Sequence, residues 1–116
     1  MNTRKNIKVC FSTDQFNNYS DIVSTVVVVD LLRATTVIST AFECGIDAVI
    51  PVKTIEEALE YKNIKDHIIA AERNTLPIDG FDFGNSPYHY INANVKGKTL
   101  VLTTTNGTKA IHLAKG

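Results

Sequence analysis

Three short stretches put chemically capable side chains where an apolar run gives way to a polar turn. Asp30, Arg33, Thr35 and Thr36 end or follow the valine run TVVVVD, and Glu72 and Arg73 follow HIIAA. Thr103, Thr104, Thr105, Asn106, Gly107 and Thr108, with Lys109 behind them, close the segment TLVLTTTNGTK near the end of the chain. Two carboxylates, two guanidiniums and a run of hydroxyls leading into a helix start suit an oxyanion that carries a hard cation with it. Mg²⁺ takes only one or two protein carboxylates plus phosphate oxygens, so Asp30 and Glu72 are sufficient candidate metal ligands. Arg33 and Arg73 can grip phosphate or sulfonate with two parallel hydrogen bonds, and Lys109 can add a point charge.

Each residue also has a structural use. Asp30 could cap the next helix, Glu72 and Arg73 could be an exposed ion pair of little worth, and the threonines are good strand formers. Asn106-Gly107 could be an ordinary hairpin turn. Arg33 is harder to explain in that way, because a cation at a helix start opposes the helix dipole. The constellation is therefore the signal, and no member of it suffices alone. There is no GxxxxGK[ST], no GxGxxG after the first strand and no GxSxG in the sequence, which argues against a nucleotide kinase or a serine hydrolase. His67, His89 and His112 share no ligand spacing and read as surface or core histidines.

The elements that must position these residues follow from hydrophobic period. Ile7–Ser12 (IKVCFS) is a strand candidate, and Thr25–Asp30 reads as a strand buried in a parallel sheet, since its valines run without alternation. Arg33–Cys44 has helical spacing, with Val37, Ala41 and Cys44 on one stripe and Gly45 placed to end it. Ala48–Val52 is a strand whose Pro51 marks an edge or an end, and Thr54-x-x-Glu57 is a capping box for the helix that follows. His67–Ala71 is a further strand, succeeded by a loop rich in proline, glycine and asparagine that runs to Asn85. Within that loop Phe81 and Phe83 read as satellite core. Ser86-Pro87 opens a short helix, Thr99–Thr105 is the last strand, and Asn106 should cap a helix from Gly107 onward. Strands alternating with helices in this manner predict a three-layer α/β/α fold with a mostly parallel or mixed sheet. In such sheets ligands sit outside the carboxyl ends of the strands, where all three polar stretches fall.

Length and composition bound the reading further. The 116 residues suit one domain, and the 12 acidic and 12 basic residues balance, which argues against a nucleic-acid partner or a membrane surface. No apolar window approaches a membrane span. Cys10 and Cys44 match no metal or redox spacing, so buried thiols in a reducing compartment, the cytoplasm, are expected. Exposed sheet edges in a chain of this length are expected to be covered, either in a homo-oligomer or by a partly disordered tail.

The segments VVVVDLLRATTVISTAFECG, AAERNTLPIDGFDFGNSP and GKTLVLTTTNGTKAI, in that order, resemble the 2-phosphosulfolactate phosphatases. The resemblance implies a Mg²⁺-dependent phosphatase of the coenzyme M and sulfolactate route, acting on a small phosphate ester that carries a sulfonate and a carboxylate. It carries over to Asp30, Arg33, Thr35, Thr36, Glu72, Arg73, Asn106, Gly107 and Thr108. In this picture Asp30 and Glu72 hold the metal, while Arg33 and the Thr104–Thr108 turn, Thr105 included, neutralise the phosphate. Arg73 and Lys109 would hold the sulfonate or carboxylate. Attack by water and attack by Asp30 itself both remain open. Family members are considerably longer, so residues 1–116 are expected to form a single α/β domain, the N-terminal portion of a longer phosphatase. A truncated, non-catalytic anion-binding domain and a phosphatase for another small acid phosphate are the competing readings.

Overall fold

A computed structural model of the chain describes residues 6–19, 25–73 and 76–115. After a 3₁₀ turn at Thr13–Asn18, the order is α1 (Ala34–Glu43), β1 (Ala48–Pro51), α2 (Ile55–Leu59), β2 (His67–Arg73), β3 (Leu76–Pro77), α3 (Tyr88–Ile91), β4 (Thr99–Thr103) and α4 (Gly107–Ala114). The strands form one sheet in the order β1-β4-β2-β3. β4 lies between β1 and β2 and is parallel to both, while β3 turns back antiparallel against the end of β2. The α/β expectation with a mostly parallel, mixed sheet is met.

Strand alternation divides the core into two layers. Ile68 and Ala70 of β2 and Leu100 and Leu102 of β4 face one way, against Val37 and Ala41 of α1 and Tyr90 of α3. Ile69 and Val101 face the other way, against Val52 and Ala58 of α2. Phe83 packs on the first cluster and Phe81 on the second, as satellite core. The loop that carries them covers the edge of β2: Asp82 N–H donates to the Ile69 carbonyl at 3.0 Å, and Ile69 N–H donates to Asp82 Oδ2 at 2.9 Å.

Local signals explain the helix ends. Gly45 has φ +94, a conformation open to glycine, and Ile46 N–H returns to the Ala41 carbonyl at 3.1 Å to close α1. Thr54 Oγ1 accepts from Glu57 N–H at 3.1 Å, as a capping box requires, but Glu57 reaches one residue further back, accepting from Lys53 N–H at 2.8 Å. Pro51 is the last residue of β1, which pairs with β4 on one side.

Several expectations are corrected. Neither Ile7–Ser12 nor Thr25–Asp30 is a strand. Val27 and Val29 are 79% and 77% exposed, and Phe11 is 91% exposed. A β-branched run reports what burial would suit it, whereas ladder pairing requires a neighbouring strand, and the β1-β4-β2-β3 sheet does not take this run up. Asn106 occupies the cap position of α4 but makes no side-chain cap hydrogen bond. Cys10 is exposed rather than buried, and Cys44 is half-buried; both are free thiols. Among the described residues no helix is long and apolar enough to cross a membrane.

Candidate active site

The site is built where two helix N-termini meet. Gly107 opens α4 and Ala34 opens α1, and they pack so closely that a methyl group placed on Gly107 would lie 2.4 Å from Ala34 Cβ. The same point is 3.0 Å from Asp30 Oδ2, so the Asp30 carboxylate lies beside the start of α4. The positive dipole ends of both helices therefore lie close to one carboxylate.

The loop that delivers Asp30 is fixed by hydroxyls. Thr35 Oγ1 accepts from Asp30 N–H at 3.0 Å and donates to the Asp30 carbonyl at 2.8 Å. Thr36 Oγ1 donates to the Leu31 carbonyl at 2.7 Å. These two threonines thus spend their hydroxyls on the backbone of the loop and act as positioning residues. The turn before α4 is held in the same way. Thr108 N–H donates to Thr104 Oγ1 at 3.2 Å, Thr104 N–H donates to Thr108 Oγ1 at 3.3 Å, and Thr108 Oγ1 donates to the Thr104 carbonyl at 3.2 Å. Thr104 and Thr108 are both buried, and this reciprocal pair does the capping that the sequence assigned to Asn106.

A cavity of about 790 Å³ opens at this junction. Asp30, Arg33, Glu72, Thr104, Thr105, Asn106 and Gly107 line it, so seven of the residues singled out in the sequence converge. Asn85, which sequence reading left as the end of a loop, lines it too; its side-chain oxygen is buried and has no hydrogen-bond partner among the described residues. The GNSP stretch offered a turn signal but nothing to separate a site amide from an ordinary loop asparagine. Gly84 N–H donates to His89 Nδ1 at 3.1 Å, which anchors that loop to α3.

Arg73 and Lys109 go elsewhere. Neighbours on a strand point to opposite faces of the sheet, and Arg73 parts from Glu72 accordingly. Its guanidinium donates to the Glu72 carbonyl at 2.8 Å and to Thr103 Oγ1 at 3.5 Å. Arg73, Thr108 and Lys109 line a second cavity of about 430 Å³, whose wall Thr104 and Thr105 share with the first. Lys109 Nζ is also 3.7 Å from Asp14 Oδ1, in an exposed ion pair.

A family model described as 2-phosphosulpholactate phosphatase matches residues 4–116. The chain belongs to the 2-phosphosulpholactate phosphatase family. It is 57% identical over 90 residues to a probable 2-phosphosulfolactate phosphatase of Clostridium novyi, covering 76% of this chain and 38% of that protein. A protein of the same name from Clostridium acetobutylicum is 50% identical over 109 residues, 90% of this chain and 46% of its own length. A third, from Thermotoga petrophila, is 55% identical over 87 residues, 75% of this chain and 38% of the relative. The chain thus spans less than half the length of these family members.

Proposed function

We propose that this family member is a Mg²⁺-dependent phosphatase that hydrolyses 2-phosphosulfolactate to sulfolactate and phosphate, in the cytoplasmic metabolism of sulfolactate and coenzyme M. The observation that carries the proposal is the convergence of Asp30, Glu72, Arg33 and the starts of α1 and α4 on one cavity. Hydrolysis of a phosphate ester asks the protein mainly for positioning and for neutralisation of charge on the phosphoryl oxygens. Arg33 and the N–H groups at the start of α4 would take the phosphate, as helix starts do for anions. Thr35 and Thr36 hold the Asp30 loop in place, and the Thr104–Thr108 pair holds the helix start, so little reorganisation is needed when the ester binds.

The donor set suits magnesium. Asp30 and Glu72 are hard oxygen donors lining the same cavity, and the unpartnered Asn85 oxygen is a third. When bound by Asp30 and Glu72, the cation would supply charge neutralisation at the phosphate and an acidified water. Overall, a water oxygen is added to phosphorus, the ester P–O bond breaks, and the water's protons are shared between sulfolactate and phosphate.

The test is phosphate release from 2-phosphosulfolactate by the chain with and without Mg²⁺, alongside Asp30→Asn. Magnesium-dependent turnover that disappears in Asp30→Asn supports the proposal. Full activity in Asp30→Asn overturns the role of that carboxylate. A folded chain that binds the ester without turning it over favours the anion-binding reading, and preferential hydrolysis of other acid phosphates favours a different substrate.

A further inference from the structure

We infer that the second cavity is an oxyanion-binding pocket in its own right, formed by Lys53, Arg73, Lys109 and His112. None of the proposed phosphate contacts requires it, and Lys53 and His112 have no part in the function described above. Its ligand would be a tetrahedral oxyanion of the sulfate, sulfonate or phosphate class.

Four observations lead there. Lys53, just before the Thr54 cap of α2, Arg73 at the end of β2 and Lys109 on α4 come from different elements, and these three cationic residues line one cavity of about 430 Å³. No carboxylate lines it among the described residues. Asp14 approaches Lys109 at 3.7 Å but is not among the lining residues, and Glu57 accepts a hydrogen bond from the Lys53 backbone rather than from its ammonium. His112 lines the same cavity with its Nε2 buried and without a hydrogen-bond partner among the described residues. The Lys53 and Arg73 charges meet no carboxylate among the cavity's lining residues, and a buried ring nitrogen without a partner is costly, so an anion seated there relieves both features. Arg73 is pre-oriented by its bond to the Glu72 carbonyl at 2.8 Å, which lowers the entropy lost on binding.

The pocket borders the first cavity through Thr104 and Thr105. Two sources of the oxyanion fit that position: the sulfonate arm of a substrate whose phosphate lies in the first cavity, or a free inorganic anion. Only the first source rests on the proposed function.

The experiment is calorimetric titration of the full chain with sodium sulfate and with methanesulfonate, in the wild type and in Arg33→Gln, Lys53→Gln, Arg73→Gln and His112→Gln, with circular dichroism to establish folding. The ring-nitrogen signals of His112 in the wild type give a second readout that depends on no variant. Sulfate binding that survives Arg33→Gln, falls about tenfold or more in Lys53→Gln and Arg73→Gln, and shifts the His112 Nε2 signal is the expected result. Absence of millimolar binding, equal binding in all variants, or loss confined to Arg33→Gln overturns the inference. The source is then read from kinetics on paired esters with and without a sulfonate. A KM raised by Lys53→Gln for the sulfonated ester alone identifies the substrate arm, and an unchanged preference with sulfate binding retained in the wild type identifies a free anion. A chain that lacks turnover altogether overturns the proposed function while the titration still decides the pocket.

Discussion

Replacing Gly107 with alanine tests the geometry on which the candidate site depends. The added Cβ would stand 2.4 Å from Ala34 Cβ, 3.0 Å from Asp30 Oδ2 and 3.2 Å from Thr104 Oγ1. Carbon atoms in favourable contact lie roughly 3.5–4.0 Å apart, so α4 must retreat from α1 by about 1 Å or more. It cannot do so freely, because Thr108 is tied to Thr104 by hydrogen bonds at both ends of the turn. Overpacking of this kind costs about 1–3 kcal/mol, and the better helix propensity of alanine returns at most about 1 kcal/mol. The net expectation is a loss of about 1–2 kcal/mol, or a melting temperature lower by roughly 4–12 °C in a chain of this size. Thermal unfolding followed by circular dichroism measures it. The same experiment on Ala34→Gly and on the double variant closes a cycle in which removing the Ala34 methyl should restore about 1 kcal/mol or more to Gly107→Ala. A Gly107→Ala chain that melts at the wild-type temperature, or a cycle with no coupling, refutes the close approach of the two helix starts. With it would fall the placement of Asp30 at the start of α4.

Two further predictions concern side-chain hydroxyls. Thr35→Val removes both side-chain hydrogen bonds to the Asp30 backbone and should cost about 1–2 kcal/mol in denaturant unfolding, whereas Thr36→Val, which loses a single bond to Leu31, should cost less. Turnover, where present, should fall further in the Thr35 variant, and the reverse order would contradict the positioning role. Tyr90 is fully buried with its hydroxyl unpartnered, and burial raises its pKa well above the ordinary tyrosine value. The folded state then holds the phenol proton more tightly than the unfolded state, so this contribution to stability is intact below about pH 10 and is lost as pH rises beyond it. Tyr90→Phe should match or exceed the wild type at neutral pH and flatten the fall in stability above about pH 10; a loss of more than about 1 kcal/mol at neutral pH would show that the hydroxyl has a partner.

The parts of this fold that could be read in the sequence are those dictated locally. Gly45, the Thr54 and Glu57 pair, Pro51 and the helical stripe of Val37 and Ala41 each act through backbone conformation or a contact within a few residues, and each is where it was expected. The valine run before Asp30 failed because its burial depends on a neighbour, which no local pattern specifies. Asn106 failed for a different reason: Thr104 and Thr108, four residues apart, can cap each other, and that reciprocal geometry competes with a good N-cap residue without any distinct signature. Asn85, Lys53 and His112 entered the two cavities through tertiary packing alone.

The fate of Glu72 and Arg73 shows why a list of chemically apt residues is weaker than their order. Adjacent in sequence, they read as one cluster, and a single oxyanion site absorbs both. Strand geometry forbids that once β2 continues through Arg73, because successive side chains must leave by opposite faces. The carboxylate goes to the side of α1, where Asp30 waits, and the guanidinium goes to the side of α2, where Lys53 stands. Arg33 stays with the carboxylates in the first cavity, while one further residue of strand parts Glu72 from Arg73. It keeps Arg73 from neutralising the carboxylates that would hold a cation, and it leaves the positive charges of the second cavity without a counter-charge among its own walls. The pleat of β2 therefore parts Arg73 from the cluster of Asp30, Arg33 and Glu72, with the Thr104–Thr105 turn bordering both cavities.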